Sequence, residues 1–346
     1  WYSTAIATFT QITDGDFTGL TVRGKMEFLD GFAFILDANN RIYNSDINSI
    51  ANWSASNYIT KSIKQDIARG LARFNTQIIA FNETSFEVFR NAGNASGSPL
   101  ESVQNLTGNI GCYNPNSSLD YRHYYTVLGG WLYWPSTNPG GMHAFNGQTV
   151  EKVSTPAIDK ILNERQHYHV GNIIIGGQAA IAIALDTAAA TTQRWLMFFP
   201  EWKEWFEWNS TVISPITSQR RGYEVLGVGA NQHKLYVISS SGVTDNWQDD
   251  GTNYTWTHQF KLPSNGNPRT VMSWFGVKGD TARSASSLNV SFSDDDWQTF
   301  STARTIDMTA TLKRITRCGA YHDRGVRLTH TANLDIRLES VVAKVK

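Results

Sequence analysis

Residues 73–90 read RFNTQIIAFNETSFEVFR, and this stretch decides the fold. Phe74 is followed by a turn signal at Asn75, then by the apolar run Ile78–Phe81, a polar break, and a second run with Phe86, Val88 and Phe89. Two short runs of β-branched and aromatic residues separated by turn formers predict a hairpin. The plan recurs on both sides. Lead segments at Gly31–Leu36, Asn75–Phe81, Gly130–Trp134, Gly177–Leu185 and Asn231–Ile238 start 44, 55, 47 and 54 residues apart. A small β unit repeated every roughly 40–50 residues is the pattern of a propeller or similar array. One such unit cannot bury its apolar face alone, so the units must pack against one another in a ring.

The rest of the chain bounds that reading. With 346 residues it exceeds the roughly 250–300 at which one core stops growing. An all-β chain is therefore expected, with a β-propeller over 1–262 and a small antiparallel β-sandwich over 263–346. The joint is set by Leu262–Arg269, with Pro263, Gly266 and Pro268. Strands are expected at Thr270–Gly276, Leu288–Ser293, Arg304–Met308, Leu312–Arg317, Gly325–Thr329 and Asp335–Val345. Asn91–Leu119, rich in Gly, Asn, Ser and Pro, reads as a long loop between blades. Thr155–Arg165 is the best helix, with Thr155 as N-cap and Pro156 in its first turn. A shorter helical turn is expected after Ser45, ending near Trp53. The chain starts at Trp1 without an initiator Met, so Trp1–Thr10 reads as an outer strand of a propeller whose N-terminal part belongs to a longer parent chain.

Net charge is zero, which argues against a generally basic nucleic-acid binder. The balance is uneven, however: Arg304–Lys346 holds nine Lys/Arg against four Asp/Glu, a net +5 set against −5 in the preceding part. A basic end on an acidic body suggests a directed contact with a neighbouring subunit or a polyanion. Arg314, Arg317, Arg324 and Arg327 are its candidate interface residues.

Catalytic signals are weak. His167 and His169 share one face of a strand, but no Cys or carboxylate stands at a familiar ligand spacing beside them. Asp294-Asp295-Asp296 lacks the turn Gly of a calcium loop and reads as a turn between strands. Trp195, Trp202, Trp205 and Trp208 could form a carbohydrate platform, though filling the gaps between blades is the commoner use of such residues. Tyr223-Glu224 beside Arg220-Arg221 superficially resembles a sialidase nucleophile pair. Cys112 and Cys318 are read as separate buried thiols. Eight Asn-x-Ser/Thr triplets fit a chain rich in these residues. The most apolar run, Ile173–Leu185, is shorter than the about 20 residues that cross a bilayer, so no membrane span is expected. No catalytic, metal or cofactor site is assigned.

Specific stretches resemble a known family. Ile42–Ser62 carries Tyr43, Ser45, Asp46 and Trp53 in the order found in the packaged-DNA stabilisation (tail hub, or head-completion) proteins of short-tailed bacteriophages. Thr84, Glu87 and Phe89 match that family's Thr-x-x-Glu-x-Phe segment, and Gly111-Cys112 and Val153–Ile158 also fit. Ser293–Ser301 is similar to its Ser-Asp-Asp-Gly-Gly-x-Thr-Trp turn, although Asp296 and Trp297 replace the paired glycines. The same Ser-x-Asp turn resembles the Asp-box of sialidase-like propellers, which keeps a glycan-binding or glycan-cleaving alternative open. The resemblance implies a non-enzymatic virion component made in the host cytoplasm. It would form a homo-hexameric ring beneath the portal and adaptor rings, retain the genome and dock a tail needle, fibres or tailspikes. A passing contact with packaged DNA is a further expectation.

Overall fold

The computed structural model of the chain describes residues 2–5, 8–61, 64, 66–113, 124–136, 138–164, 169–175, 178–185, 193–210, 219–220, 223–228, 235–238, 248–249, 252–253, 255–262, 269–282, 286–332, 334 and 336–346. It comprises two compact units, Trp1–Ser240 and Ser241–Lys346.

The first unit is a β-propeller built of antiparallel four-stranded sheets. The first blade runs Val22–Leu29, Phe32–Asp37, Arg41–Asp46 and Ser49–Thr60, in that order. The second holds Ala68–Phe74, Gln77–Asn82, Phe86–Asn91 and Leu100–Ser102. The third holds Thr126–Leu128, Trp131–Ser136, Gly141–Phe145 and Val150–Lys152. The fourth holds His169–Ile175, Gln178–Ala184, Gln193–Phe199 and Glu204–Ser210. Gln219–Arg220, Tyr223–Val228 and Leu235–Ile238 form a further described sheet, and Tyr2–Ala5 pairs with Thr8–Thr10. In the four complete blades, each lead segment read from the sequence becomes the second strand.

Those second strands are buried on both faces, which explains their nearly continuous apolar sequence. Phe34 and Leu36 pack with Leu71, Ile78, Ala80 and Phe89 of the next blade, while Ala33 and Ile35 turn the other way. Ile79 and Phe81 in turn meet Leu132, Trp134 and Phe145 of the third blade. Tyr133, Met142 and Ala144 then meet Ile181, Ile183 and Phe198 of the fourth. Blade stacks on blade in chain order.

Two local readings needed correction. Ser45 leads into no helix: Arg41–Asp46 and Ser49–Thr60 are paired strands turning at Ile47-Asn48, with Asn48 at φ +57°. The described α-helices of this unit are Gly15–Thr18, capped by Asp14, and Pro156–Glu164, where Thr155 Oγ1 accepts from Ile158 N at 3.4 Å, and Gln104–Leu106 forms a 3-10 turn. Asn91–Leu119 is also more than a loop. Leu100–Ser102 pairs with Phe89–Asn91 as the blade's outer strand, which propensity could not show because it spans only three residues.

The second unit is the antiparallel sandwich. One sheet orders Trp256–Lys261, Gly325–His330, Ser287–Ser293 and Arg304–Asp307. The other centres on Thr270–Gly279, flanked by Arg314–Thr316, Ala320–Tyr321 and Leu338–Val345. Phe275, Met272, Val277 and Ile315 interdigitate with Leu288, Val290, Phe292, Val326 and Leu328 between them. Trp256–Lys261, on the propeller side of the expected 262/263 joint, pairs with Gly325–His330 and so lies in this unit.

Candidate interaction surfaces

The residues that carry the sequence motifs hold turns and seams. Ser45 Oγ accepts from Ala33 N at 3.0 Å and donates to Asp46 O, while Trp53 Nε1 donates to Ile50 O at 2.9 Å. Asp66, on the connection into the second blade, accepts from Thr84 N at 2.7 Å and from the side chains of Thr84, Asn82 and Ser85. These donors hold its carboxyl below the usual range despite burial. Glu87 lies 3.9 Å from Lys61 Nζ, and both side chains are buried. Burial pushes the Lys61 ammonium down to about 8. Gly111 is required by close approach: a Cβ there would sit 1.7 Å from Glu83 O, and Trp134 Nε1 donates to Gly111 O at 3.1 Å.

The first strands of the blades border an open cavity of about 420 Å³, lined by Lys25, Glu27, Arg73, Tyr125, Val127 and Asn172 among others. The Tyr125 hydroxyl donates to Glu27 across a separation of 98 residues. Lys25 Nζ lies 3.3 Å from Glu27 and 4.1 Å over the Tyr125 ring. Burial raises the Glu27 carboxyl, with Lys25 and Tyr125 acting against that rise. The site joins the first blade to the third, and among the described residues Glu27 is the one carboxylate in its lining. Nothing in the sequence signals this constellation, because its members are far apart and individually ordinary.

In the second unit, Ser293–Phe300 makes the turn expected of Asp294-Asp295-Asp296. Asp295 accepts from Thr299 N at 2.9 Å, from the Thr299 hydroxyl and from Ser293 Oγ, which together hold its carboxyl down to about 2. Trp297 occupies the glycine position at φ +73°, with its ring against Gly325.

The four candidate arginines do not form one patch. Arg324 is 4% exposed; it forks onto both Asp294 oxygens at 2.6 Å, donates to Cys318 O, and lies between the Phe292 and Tyr321 rings. It is thereby withdrawn from the surface where the sequence reading put it. Arg327 is half-buried with its guanidinium 3.3 Å over the Phe300 ring. Arg314 and Arg317 are exposed, Arg314 lying over Trp274 at 5.6 Å. His330 is buried and bonded to Ser286 Oγ at 3.0 Å; His322 is exposed.

The Trp cluster divides. Trp195 is core, and Trp205 stacks on Phe198 with its Nε1 donating to Val153 O at 3.1 Å. Trp202 is 50% exposed and stacks on Phe199. His169 opens a strand, whereas His167 and Arg221 lie outside the described residues. Among the described residues no three His, Cys, Asp or Glu side chains gather as a metal set, and no helix is long and apolar enough to cross a membrane.

Residues 1–175 match a family model described as Bacteriophage P22 Gp10, β-propeller. No curated protein matches the chain. Among solved structures, it is similar to BamB from Moraxella catarrhalis at 13% identity, covering 62% of each chain with a TM-score of 0.35. It is also similar to an exo-β-1,3-galactanase from Phanerochaete chrysosporium at 10% identity, covering 94% of this chain and 97% of that one, TM-score 0.34. A β-fructofuranosidase from Bombyx mori matches at 7% identity over 91% and 92%, TM-score 0.33. Likenesses this distant say nothing of activity.

Proposed function

The chain belongs to the phage-stabilisation family of bacteriophage P22 Gp10 β-propellers, and from that premise we propose that it is a non-enzymatic structural protein of the head-to-tail junction. Its work is docking: a ring of copies, six in number, seals the filled head beneath the portal and adaptor rings and presents surfaces to tail needle, fibres or spikes. The observation that carries this reading is the use to which the family-like residues are put. Ser45, Trp53, Thr84, Gly111 and Asp295 each hold a turn or a seam between strands, so the motif residues serve a rigid block. A ring needs heterologous contacts, and each specific one needs about 1,000 Å² or more.

The test is assembly in the absence of this chain. Particles made without it should fill with DNA, then lose it, and should lack tail appendages; adding the purified protein back should restore both. Particles that keep their genome and tail without it would overturn the reading.

One observation favours a second reading, a glycan-binding or sialidase-like tail protein. Trp202 is exposed and stacked on Phe199, with Phe206 edge-on to the same ring. Hydrolysis of sialosides by the purified chain, lost on removal of one carboxylate, would establish that reading over the first.

A further inference from the structure

The open cavity of about 420 Å³ on the first strands of the blades has no part in the docking described above. Four consecutive blades each supply some of its wall. Lys25 and Glu27 come from Val22–Leu29, Arg73 from Ala68–Phe74, Thr126 from Thr126–Leu128 and Asn172 from His169–Ile175. Two hydrogen bonds tie those strands together around it: the Tyr125 hydroxyl donates to Glu27, and Asn172 Nδ2 donates to Val127 O at 3.0 Å. The wall is therefore held by contacts between blades, preformed in the way that small-molecule sites are.

Charge decides what such a wall accepts. Among the described residues its lining carries two cations and one carboxylate. Glu27 is buried and engaged, by the Tyr125 hydroxyl and by Lys25 Nζ at 3.3 Å. Lys25 is engaged in the same pair, its ammonium also covering the Tyr125 ring. Arg73 differs from both. It is exposed, its Nε donates to Asn75 O at 3.3 Å, and among the described residues its two terminal nitrogens meet no acceptor. The site thus holds one positive charge in excess, on a guanidinium braced at Nε. Two free N–H groups in one plane match the two oxygens of a carboxylate. A dianion would bring a second negative charge towards Glu27 with no cation left to meet it.

The rest of the lining is polar. It includes the side-chain amides of Asn75 and Asn172 and the hydroxyl of Thr126, and Asn172 Oδ1 takes no hydrogen bond from the described residues. An apolar ligand would strip water from these groups without replacing it, whereas a ligand bearing several hydroxyls pairs with them. The volume is more than a two-carbon acid needs and falls within the roughly 300–1,000 Å³ of small-molecule sites.

We propose that this cavity binds a small sugar acid, with the carboxylate on the Arg73 guanidinium and the hydroxyls on the Asn75 and Asn172 amides. The proposal rests on neither functional reading above: it needs no ring of copies, and Trp202 is not in the lining. It is measured on the purified protein alone, so its failure and that of the junction reading are separate events.

The experiment is ligand-observed saturation-transfer NMR on the full chain, titrating glucuronate, glucose and acetate. Glucuronate should bind with a Kd of about 1 mM or below, and glucose and acetate at least about tenfold more weakly, since each lacks half of the recognised chemistry. Arg73→Gln should weaken glucuronate at least about tenfold with an unchanged melting temperature, and Arg73→Lys should fall between, because an ammonium keeps the charge but not the fork. Lys278→Gln, which removes an exposed cation of the second unit, should bind as the wild type does. If Arg73→Gln fails to fold, Arg73→Lys carries the test, and binding by it as tight as that of the wild type overturns the proposal. So does absence of glucuronate binding at about 1 mM, or equal binding of glucose or of acetate. Loss of binding in Lys278→Gln does the same, since it would mark a diffuse attraction between charges and not a site.

Discussion

Lys61 is 0% exposed, its ammonium 3.9 Å from Glu87 Oε1 and without a hydrogen bond to the described residues. Its folded value of about 8 lies below the ordinary lysine value, so the unfolded chain holds that proton more tightly. Stability must therefore rise with pH as pH climbs from about 8 to about 10.5, and the cost of burying the ammonium is at full strength below about 8. Replacing the pair together, Lys61→Met with Glu87→Gln, should stabilise the protein by about 2 kcal/mol at pH 7. That advantage should shrink between pH 8 and 10.5 in denaturant titrations of the two proteins. Groups shared by both, such as the buried Cys112 and Tyr124, cancel in the difference. Trp297 gives a second prediction. A Cβ at Gly325 would stand 2.6 Å from the Trp297 ring, so Gly325→Ala should cost about 1–3 kcal/mol by forcing that ring aside.

The seams between blades decide which elements hold. Tyr124, fully buried before the third blade's first strand, donates its hydroxyl to Leu71 O at 2.5 Å in the second blade. Tyr124→Phe leaves that carbonyl buried and unpaired and should cost about 1–3 kcal/mol, read by chemical denaturation. Gly70 is glycine for the same seam, since a Cβ there would fall 2.1 Å from the Tyr124 hydroxyl. The Ser293–Phe300 turn has its own acid dependence. Asp295 is held down to about 2, chiefly by the Thr299 hydroxyl, so its contribution is present above about pH 4 and lost as pH falls towards 2. In Asp295→Asn that contribution should be missing near neutrality, and the melting temperatures of variant and wild type should converge in acid. The strands themselves were legible: Ile78–Phe81 and its counterparts announce buried β structure by composition alone. Leu100–Ser102 was not, because three residues carry no period.

At the scale of the molecule, each unit happens to own one thiol. Cys112 is 1% exposed in the first and Cys318 6% exposed in the second, and burial raises both above the usual thiol value. Neither should react with a thiol reagent in the native protein, since the thiolate is the reactive form. Mass spectrometry of which cysteine is labelled along a denaturant series should then report the opening of each unit separately. Rapid native labelling of Cys112 would contradict the packing of the second blade against the third.

By itself the sequence determined the repeat, the all-β class and the trailing sandwich, because apolar periodicity and turn residues are local properties of the chain, while the family rests on the resemblance of short motifs. It also showed a basic end, but not how those cations are disposed. Only the tertiary structure decided that Arg324 turns inward to Asp294 while Arg314 stays exposed over Trp274. It alone joined Glu27 to Tyr125 across 98 residues. The physical reason is common to both: the sign of a charge is written in the sequence, whereas its burial and its partners depend on strand register and on contacts between distant elements.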